Sequence, residues 1–235
     1  TQLKNRQEWG LYSQNGEDGI VLWIFSELGI LSTPTKAHQS RFYVEFGVED
    51  GYECNTRILR ERFGWKGLLM DGSHTNASIN LRQEFITAED INRLFSKYNV
   101  PSEIDFLSID IDFNDYWVLK SILNEGKYSA KVIAIEYNSH VPANESRSIV
   151  YNATGGWDGK TDYSGAGTAA IANLGEKYGY RLIYCESHGV NAFLIRKDLI
   201  SRDEPIIPVE MINRLPNFFG RGMNYPHGHG EWLFV

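Results

Sequence analysis

An α/β fold built on a mostly parallel sheet is what this sequence predicts, and three observations predict it. The first is Phe42-Tyr43-Val44-Glu45-Phe46-Gly47-Val48-Glu49-Asp50-Gly51, a strand-forming run that breaks into a glycine turn. Phe42, Val44 and Phe46 suit a strand by size and β-propensity, and Asn55-Thr56-Arg57-Ile58-Leu59-Arg60 starts a helix after the turn. Strand, glycine loop and helix form the opening unit of a nucleotide-binding α/β fold. The second is that later apolar runs also end on acids, at Asp71, Asp110 and Glu136, and alternate with helical segments. The third is a closing pair of strands joined by Ser187-His188-Gly189, a hairpin that ends the sheet antiparallel.

Composition narrows the class further. A chain of 235 residues, 42% apolar and 13% aromatic, suits one large domain with a sizeable core. The expected division is an N-terminal helical cap over 1–40, a core over 41–200 and a tail over 201–235. A formal charge of -7 argues against nucleic acid as a partner, because a phosphate backbone demands a clustered basic surface. No apolar run approaches the roughly 20 residues of a membrane span. Cys54 and Cys185, far apart in sequence, suggest free thiols in a reducing compartment. With no signal-peptide pattern at the start, the expected location is the cytoplasm. A homo-oligomer is left open.

The elements follow in order. Ile20, Val21, Trp23, Ile24, Phe25 and Leu28 predict an apolar helix ending at Gly29, with Ser13 and Glu17, or Asn15 and Asp18, as its capping pair. Pro34 to Ser40 reads as a loop. The first strand lies over Phe42–Phe46 and the second, Gly67-Leu68-Leu69-Met70, ends at Asp71-Gly72-Ser73. Leu81 to Phe85 reads as a short third strand. Thr87 and Asp90 open a helix through Ile91, Leu94, Phe95 and Tyr98. Ile104 to Asp112 is the fourth strand, and Tyr116, Trp117, Leu119, Ile122 and Leu123 form the helix behind it. Lys131 to Glu136 is the fifth strand. Val141 to Ala166 is long, polar and irregular, and such loops are usually functional or mobile. Thr168 to Tyr178 is helical, and Tyr180–Glu186 and Val190–Ile195 are the hairpin strands. The tail from Pro205 to Val235 holds four of the seven prolines and shows no period.

The candidate functional residues share one address. Glu45, Asp71, Asp110, Asp112, Glu136, Asn138 and His140 all fall at or just past strand ends, where ligands bind in open α/β sheets. Asp71 stands about 20 residues beyond the glycine turn, the position of an acid that grips a ribose. The turn itself is G-x-x-x-G and carries Glu49 and Asp50. Two acids repel a pyrophosphate, which favours bare amides at a helix N-terminus. The loop therefore suits S-adenosylmethionine, which has a ribose, an ammonium and a sulfonium but no phosphate, better than a dinucleotide.

Tyr12-Ser13-Gln14-Asn15-Gly16-Glu17-Asp18, Val44 to Gly51, Ser108-Ile109-Asp110-Ile111-Asp112-Phe113-Asn114-Asp115-Tyr116 and Ile135-Glu136-Tyr137-Asn138 together resemble the FkbM-type S-adenosylmethionine-dependent methyltransferases, in a branch acting on bacterial surface sugars. The resemblance runs from about Tyr12 to Lys197 and departs from the pattern at Phe113, where a glycine is expected. It implies a Rossmann-like class I methyltransferase fold: a mostly parallel seven-stranded sheet with an antiparallel last strand and helices on both faces. It implies that Glu45, Gly47 and Gly51 line the cofactor, Asp71 and Gly72 hold the ribose, and Ser73, Thr87 and Ala88 flank the adenine. Asp110 would face the methionine part, and Gln14 and Asn15 would close over it.

Asp110, Asp112, Glu136 and Asn138 also form an oxygen-rich set at adjacent strand ends, similar to the divalent-ion site of several O-methyltransferases, and hard ions such as Mg²⁺ or Mn²⁺ favour such oxygens. His140 is the expected base, with Asp110 and Glu136 beside it in the catalytic set. The expected reaction is methyl transfer from S-adenosylmethionine to a hydroxyl of a sugar or nucleotide-sugar, in surface polysaccharide biosynthesis. A nicotinamide-dependent oxidoreductase and a non-catalytic nucleoside-binding module are the rivals. Plain alternatives also stand: Glu45 as a buried acid satisfied within the fold, Asp71 as a turn residue, Asp110 and Asp112 as helix caps, and His140 as a solvated loop side chain. Trp157, Asp158, Asp162 and Tyr163 read as a substrate lid or as an ordered surface loop. His74, His188, His227 and His229 have weaker claims, His227 and His229 as a spaced metal pair or as part of a mobile tail.

Overall fold

The computed structural model describes residues 7–31, 41–218 and 225–235. The loop read over Pro34–Ser40 lies outside these residues, as do parts of the N-terminal cap and of the tail.

Seven strands form one sheet in the order β3-β2-β1-β4-β5-β8-β7. These are β1 (Phe42–Phe46), β2 (Lys66–Asp71), β3 (Leu81–Gln83), β4 (Glu103–Ile109), β5 (Ser129–Glu136), β7 (Tyr180–Cys185) and β8 (Asn191–Arg196). All neighbours run parallel except that β8 lies antiparallel between β5 and β7. This is the reversed-last-strand sheet of the class I methyltransferase fold.

The alternation of a strand explains the layers. On β1, Val44 and Phe46 join one core with α3 (Ile91–Lys97), α4 (Asp115–Glu125) and α5 (Thr168–Lys177). Tyr43 points the other way, into a second core with α1 (Glu17–Glu27) and α2 (Arg57–Phe63). Helices thus cover both faces, and the central strands β1, β2, β4 and β5 read largely as apolar runs because both of their sides are buried. Glu45 has the parity of Tyr43, so it faces the layer that holds α2. Cys54 and Cys185 are buried free thiols.

The N-terminus of α1 uses both expected pairs with the partners exchanged. Ser13 Oγ accepts from Asp18 N–H (2.9 Å) while Asp18 Oδ2 accepts from the N–H groups of Leu11, Tyr12 and Ser13. Glu17 Oε2 accepts from Asn15 N–H (2.8 Å). The chain turns through left-handed Gly16 just before the helix, which lengthens the reach from Ser13 to Asp18.

The largest departure from the sequence reading is in the tail. Its last residues form β9 (Trp232–Phe234), paired antiparallel with β6 (Arg147–Ile149) inside the long 141–166 loop. Tyr163 Oη donates to Glu231 C=O (2.7 Å), and a Cβ on Gly230 would lie 2.0 Å from the Tyr163 ring. Only glycine lets the tail backbone come this close. Further back, α6 (Val209–Ile212) and the following turn cross the β7–β8 end of the sheet, where Asn217 N–H donates to His188 C=O (2.9 Å). The tail is thus tied down in its described parts, and it ties the loop down in turn. Among the described residues no helix is long and apolar enough to cross a membrane.

Candidate functional site

The carboxyl ends of β1, β2, β4 and β5 meet at one edge of the sheet. Gly47 N–H donates to Met70 C=O (3.0 Å) and Asp110 N–H to Phe46 C=O (3.3 Å), so the strand-end loops are fastened to one another. Gly47 has φ 77°, and a Cβ there would lie 1.4 Å from the Asp110 carbonyl oxygen. No other residue type fits, and the β1 turn is pressed against the β4 turn.

Two cavities open along this edge. A smaller one of about 470 Å³ runs over β1 and β2 and is lined by Gly47, Asp71, Gly72, Phe85, Asp112 and Asn114 among others. A larger one of about 710 Å³ lies over β4 and β5 and holds Gln14, Asn15, Asp110, Glu136, Asn138 and His140. Asp112 and Trp157 line both, so the two are halves of one cleft.

Asp71 anchors the smaller half. Its Oδ1 accepts from Ser73 N–H, Ser73 Oγ and His74 N–H at 2.8–3.1 Å and lies 3.0 Å from His74 Nδ1. Among the described residues its Oδ2 accepts only from Glu49 N–H (2.9 Å), leaving capacity toward the cavity. Burial alone would raise this carboxyl, but the hydrogen bonds from Ser73, His74 and Glu49 outweigh it and hold it below the usual range. Phe85, 63% exposed, stands over Gly72 at the mouth. An aromatic face beside a ribose-type acid is a surface on which a nucleobase stacks.

The larger half is acidic. One carboxylate oxygen from each of Asp110, Asp112 and Glu136 lies within 4.8 Å of the other two. Asp110 and Glu136 are half-buried and Asp112 is exposed, at φ 64°. Burial, with repulsion from Asp115 and Asp112, raises Asp110 well above the carboxylate range, and burial with Asp110 and Asp115 does the same for Glu136. Asp115, behind them, is pushed up to about 7, mainly by burial. Among the described residues no Lys or Arg pairs with these three acids. Converging carboxylates with raised proton affinity and no cation are a donor set that fits a hard divalent ion.

His140 lines the same half. Burial lowers its pKa, with Asp162 acting in the opposite direction, and its Nε2 has no partner among the described residues. Asn138 is committed elsewhere: its amide N–H₂ donates to Asp162 and Ser164 C=O, and its oxygen accepts from His140 N–H (3.0 Å). It positions His140 and the loop.

The structure therefore gathers Gln14, Asn15, Gly47, Asp71, Gly72, Asp110, Asp112, Glu136, Asn138 and His140 around one cleft. Glu45, Gly51, Ser73, Thr87 and Ala88 line neither half. Glu45 is 4% exposed, and its oxygens accept from Asn55 N–H (2.8 Å), Thr56 N–H (2.9 Å) and Thr56 Oγ1 (2.6 Å), fixing the turn that starts α2. Ser73 serves Asp71, and Thr87 Oγ1 accepts from Asp90 N–H (3.2 Å) at the entry to α3. Phe85, Phe218 and Tyr225 also line the cleft without having been singled out in the sequence. Phe85 carried a signal, a large aromatic just past a short strand; Phe218 and Tyr225 lay in a tail without period. Phe113, the departure from the family pattern, is buried against Tyr163 with ring centroids 6.2 Å apart and helps seat the long loop.

No protein-family model matches the chain, and no curated protein matches it. Solved structures similar to it include an O-methyltransferase family protein from Burkholderia thailandensis, at 11% identity over 77% of this chain and 58% of that one, with a TM-score of 0.42. Another is the mitomycin 7-O-methyltransferase MmcR, at 14% identity over 76% of this chain and 56% of that one, with a TM-score of 0.33. The chain spans little more than half the length of either. Likeness this distant carries no inference about chemistry, which rests on the cleft.

Proposed function

We propose that this chain is an S-adenosylmethionine-dependent O-methyltransferase whose acceptor is a hydroxyl of a sugar or nucleotide-sugar, in surface polysaccharide biosynthesis. The observation that carries the reading is the division of one cleft into two halves of different chemistry. The β2 half offers a ribose-type acid and an exposed aromatic beside the glycine turn. The β4–β5 half offers three converging carboxylates and a histidine suited to accept a proton.

In this reading Asp71 Oδ2 receives a ribose hydroxyl, Phe85 faces the adenine, and Gln14, Asn15 and Asp110 surround the methionine part. When bound, S-adenosylmethionine supplies an electrophilic methyl group on a sulfonium, transferred to oxygen as the C–S bond breaks and its electron pair stays on sulfur. Asp110, Asp112 and Glu136 would hold Mg²⁺ or Mn²⁺, which supplies Lewis acidity to the acceptor hydroxyl. His140, held neutral near pH 7 by burial, takes the hydroxyl proton. The aligned halves supply proximity, which accounts for much of such a rate.

Incubation of the chain with S-adenosylmethionine and a panel of hydroxylated sugars, followed by mass spectrometry, tests the reading. The expected product is a monomethylated sugar whose formation stops with chelator and returns with Mg²⁺ or Mn²⁺. Full activity in chelator removes the metal from the proposal, and cofactor binding without transfer to any acceptor favours a binding module.

A further inference from the structure

The residues ahead of α1 are fastened at two places along the ligand edge of the sheet. At one, Glu8 reaches the β7–β8 hairpin, where its carboxylate accepts from Ser187 N–H (3.0 Å), Ser187 Oγ and Tyr184 Oη. At the other, Tyr12 meets α2. The Arg57 guanidinium lies over the Tyr12 ring, 4.4 Å from its centroid, and over the Tyr52 ring, 4.2 Å from its centroid. Arg57 Nη1 also donates to the Tyr52 carbonyl, and Arg60 Nη2 donates to Gly51 C=O (3.4 Å), so α2 grips the glycine turn that follows β1. Gln14 and Asn15 follow Tyr12 directly and line the larger half of the cleft.

Each contact has a separate task. Asp18 shapes the segment from within its own helix, by taking the N–H groups of Leu11, Tyr12 and Ser13. Arg57 joins the shaped segment to the glycine turn. That turn supplies the Glu49 N–H that braces Asp71 Oδ2 (2.9 Å). The stack therefore links the segment carrying Gln14 and Asn15 to the loop behind the ribose-type acid. Tyr52 is 71% exposed, so burial does not explain its place, whereas the Arg57 side chain is only 18% exposed. A guanidinium shielded from water gains more from a π face than an exposed one does. Its flat, delocalised charge suits stacking on rings, which the compact ammonium of lysine does less well. The nearest Glu61 oxygen is 3.9 Å from Arg57 Nε, so the guanidinium is committed to the two rings and the Tyr52 carbonyl rather than to its neighbour on the helix.

We infer that Arg57 is a positioning residue for the amino-acid end of the cofactor, acting through Tyr12 to hold Gln14 and Asn15 at the larger half of the cleft; this rests on the methyltransferase reading and deepens it. The test titrates the full chain and its Arg57→Ala variant with S-adenosylhomocysteine and with methylthioadenosine, which keeps the nucleoside and lacks the amino-acid end. Arg57→Ala is expected to weaken S-adenosylhomocysteine by about five- to tenfold, because the fraction of chains with the segment in place falls and the apparent affinity falls with it. Affinity for methylthioadenosine should not change. In a Gln14→Ala/Asn15→Ala background Arg57→Ala should cost nothing further, since its effect passes through those two side chains. Tyr12→Leu keeps an apolar side chain, removes the ring that meets the guanidinium and should reproduce the loss, so the test stands if Arg57→Ala fails to fold. Parent-like affinity for S-adenosylhomocysteine in a folded variant, an equal loss for both ligands, or losses that add in the Gln14→Ala/Asn15→Ala background overturns the inference. A parent chain that binds neither ligand counts against the methyltransferase reading itself and takes the inference with it.

Discussion

Replacing Asp71 with alanine separates a ligand-gripping acid from a turn residue. The substitution removes both carboxylate oxygens. The groups left behind are the N–H of Glu49, the N–H and hydroxyl of Ser73, and the N–H and ring of His74. All three residues are exposed, so water replaces the lost acceptor and the folding cost stays near 1 kcal/mol. The cost to binding is different in kind. Among the described residues Oδ2 accepts a single donor, and a ribose hydroxyl on its open side makes a charge-assisted hydrogen bond of about 1.5–3 kcal/mol. Affinity for S-adenosylhomocysteine should therefore fall by roughly ten- to hundredfold. Because Asp71 is held below the usual carboxylate range, the loss should be the same from about pH 5 to pH 8. Isothermal titration of both proteins, with thermal melts to check that the variant is folded, measures it. A folded variant with unchanged affinity refutes the reasoning and moves the ribose elsewhere.

Three further outcomes follow from the same geometry. Glu45→Ala should lower stability by about 2–4 kcal/mol, since it orphans buried donors at Asn55 and Thr56, and should leave cofactor affinity intact in whatever remains folded; a melt unchanged from the parent contradicts the role assigned to it. His140→Gln should cut kcat by about a hundredfold or more with little change in S-adenosylhomocysteine affinity, and a parent-like rate excludes it as the base. In chelator, stability should decline as pH rises from about 5 to 7. Asp115 binds its proton more tightly folded than unfolded, so its stabilisation is complete below the unfolded value and is lost as pH rises through about 7. A melting temperature that climbs across this interval would falsify the protonated acid cluster.

The sheet was legible because β1, β2, β4 and β5 are buried on both sides and read as apolar runs, the last three followed or closed by an acid at the ligand edge. The site's address followed from that edge. What stayed hidden depends on contacts between distant segments. β6 and β9 are three residues each, too short to show a period, and exist because the tail folds back over the loop. Phe218 and Tyr225 reach the cleft by the same route. Glu45 was readable as a buried acid satisfied within the fold, but its partners in the turn before α2 become visible only once strand parity places it facing that helix. Asn138 belonged to the right strand end, yet its amide is spent on the 162–164 backbone, a pairing that sequence spacing does not encode.

The most direct test of the central claim is a comparative titration of the full chain with S-adenosylmethionine and with NAD. The acidic glycine turn and Asp71 predict that S-adenosylmethionine binds and that NAD, which carries a pyrophosphate, binds far more weakly. Tighter binding of NAD would contradict it.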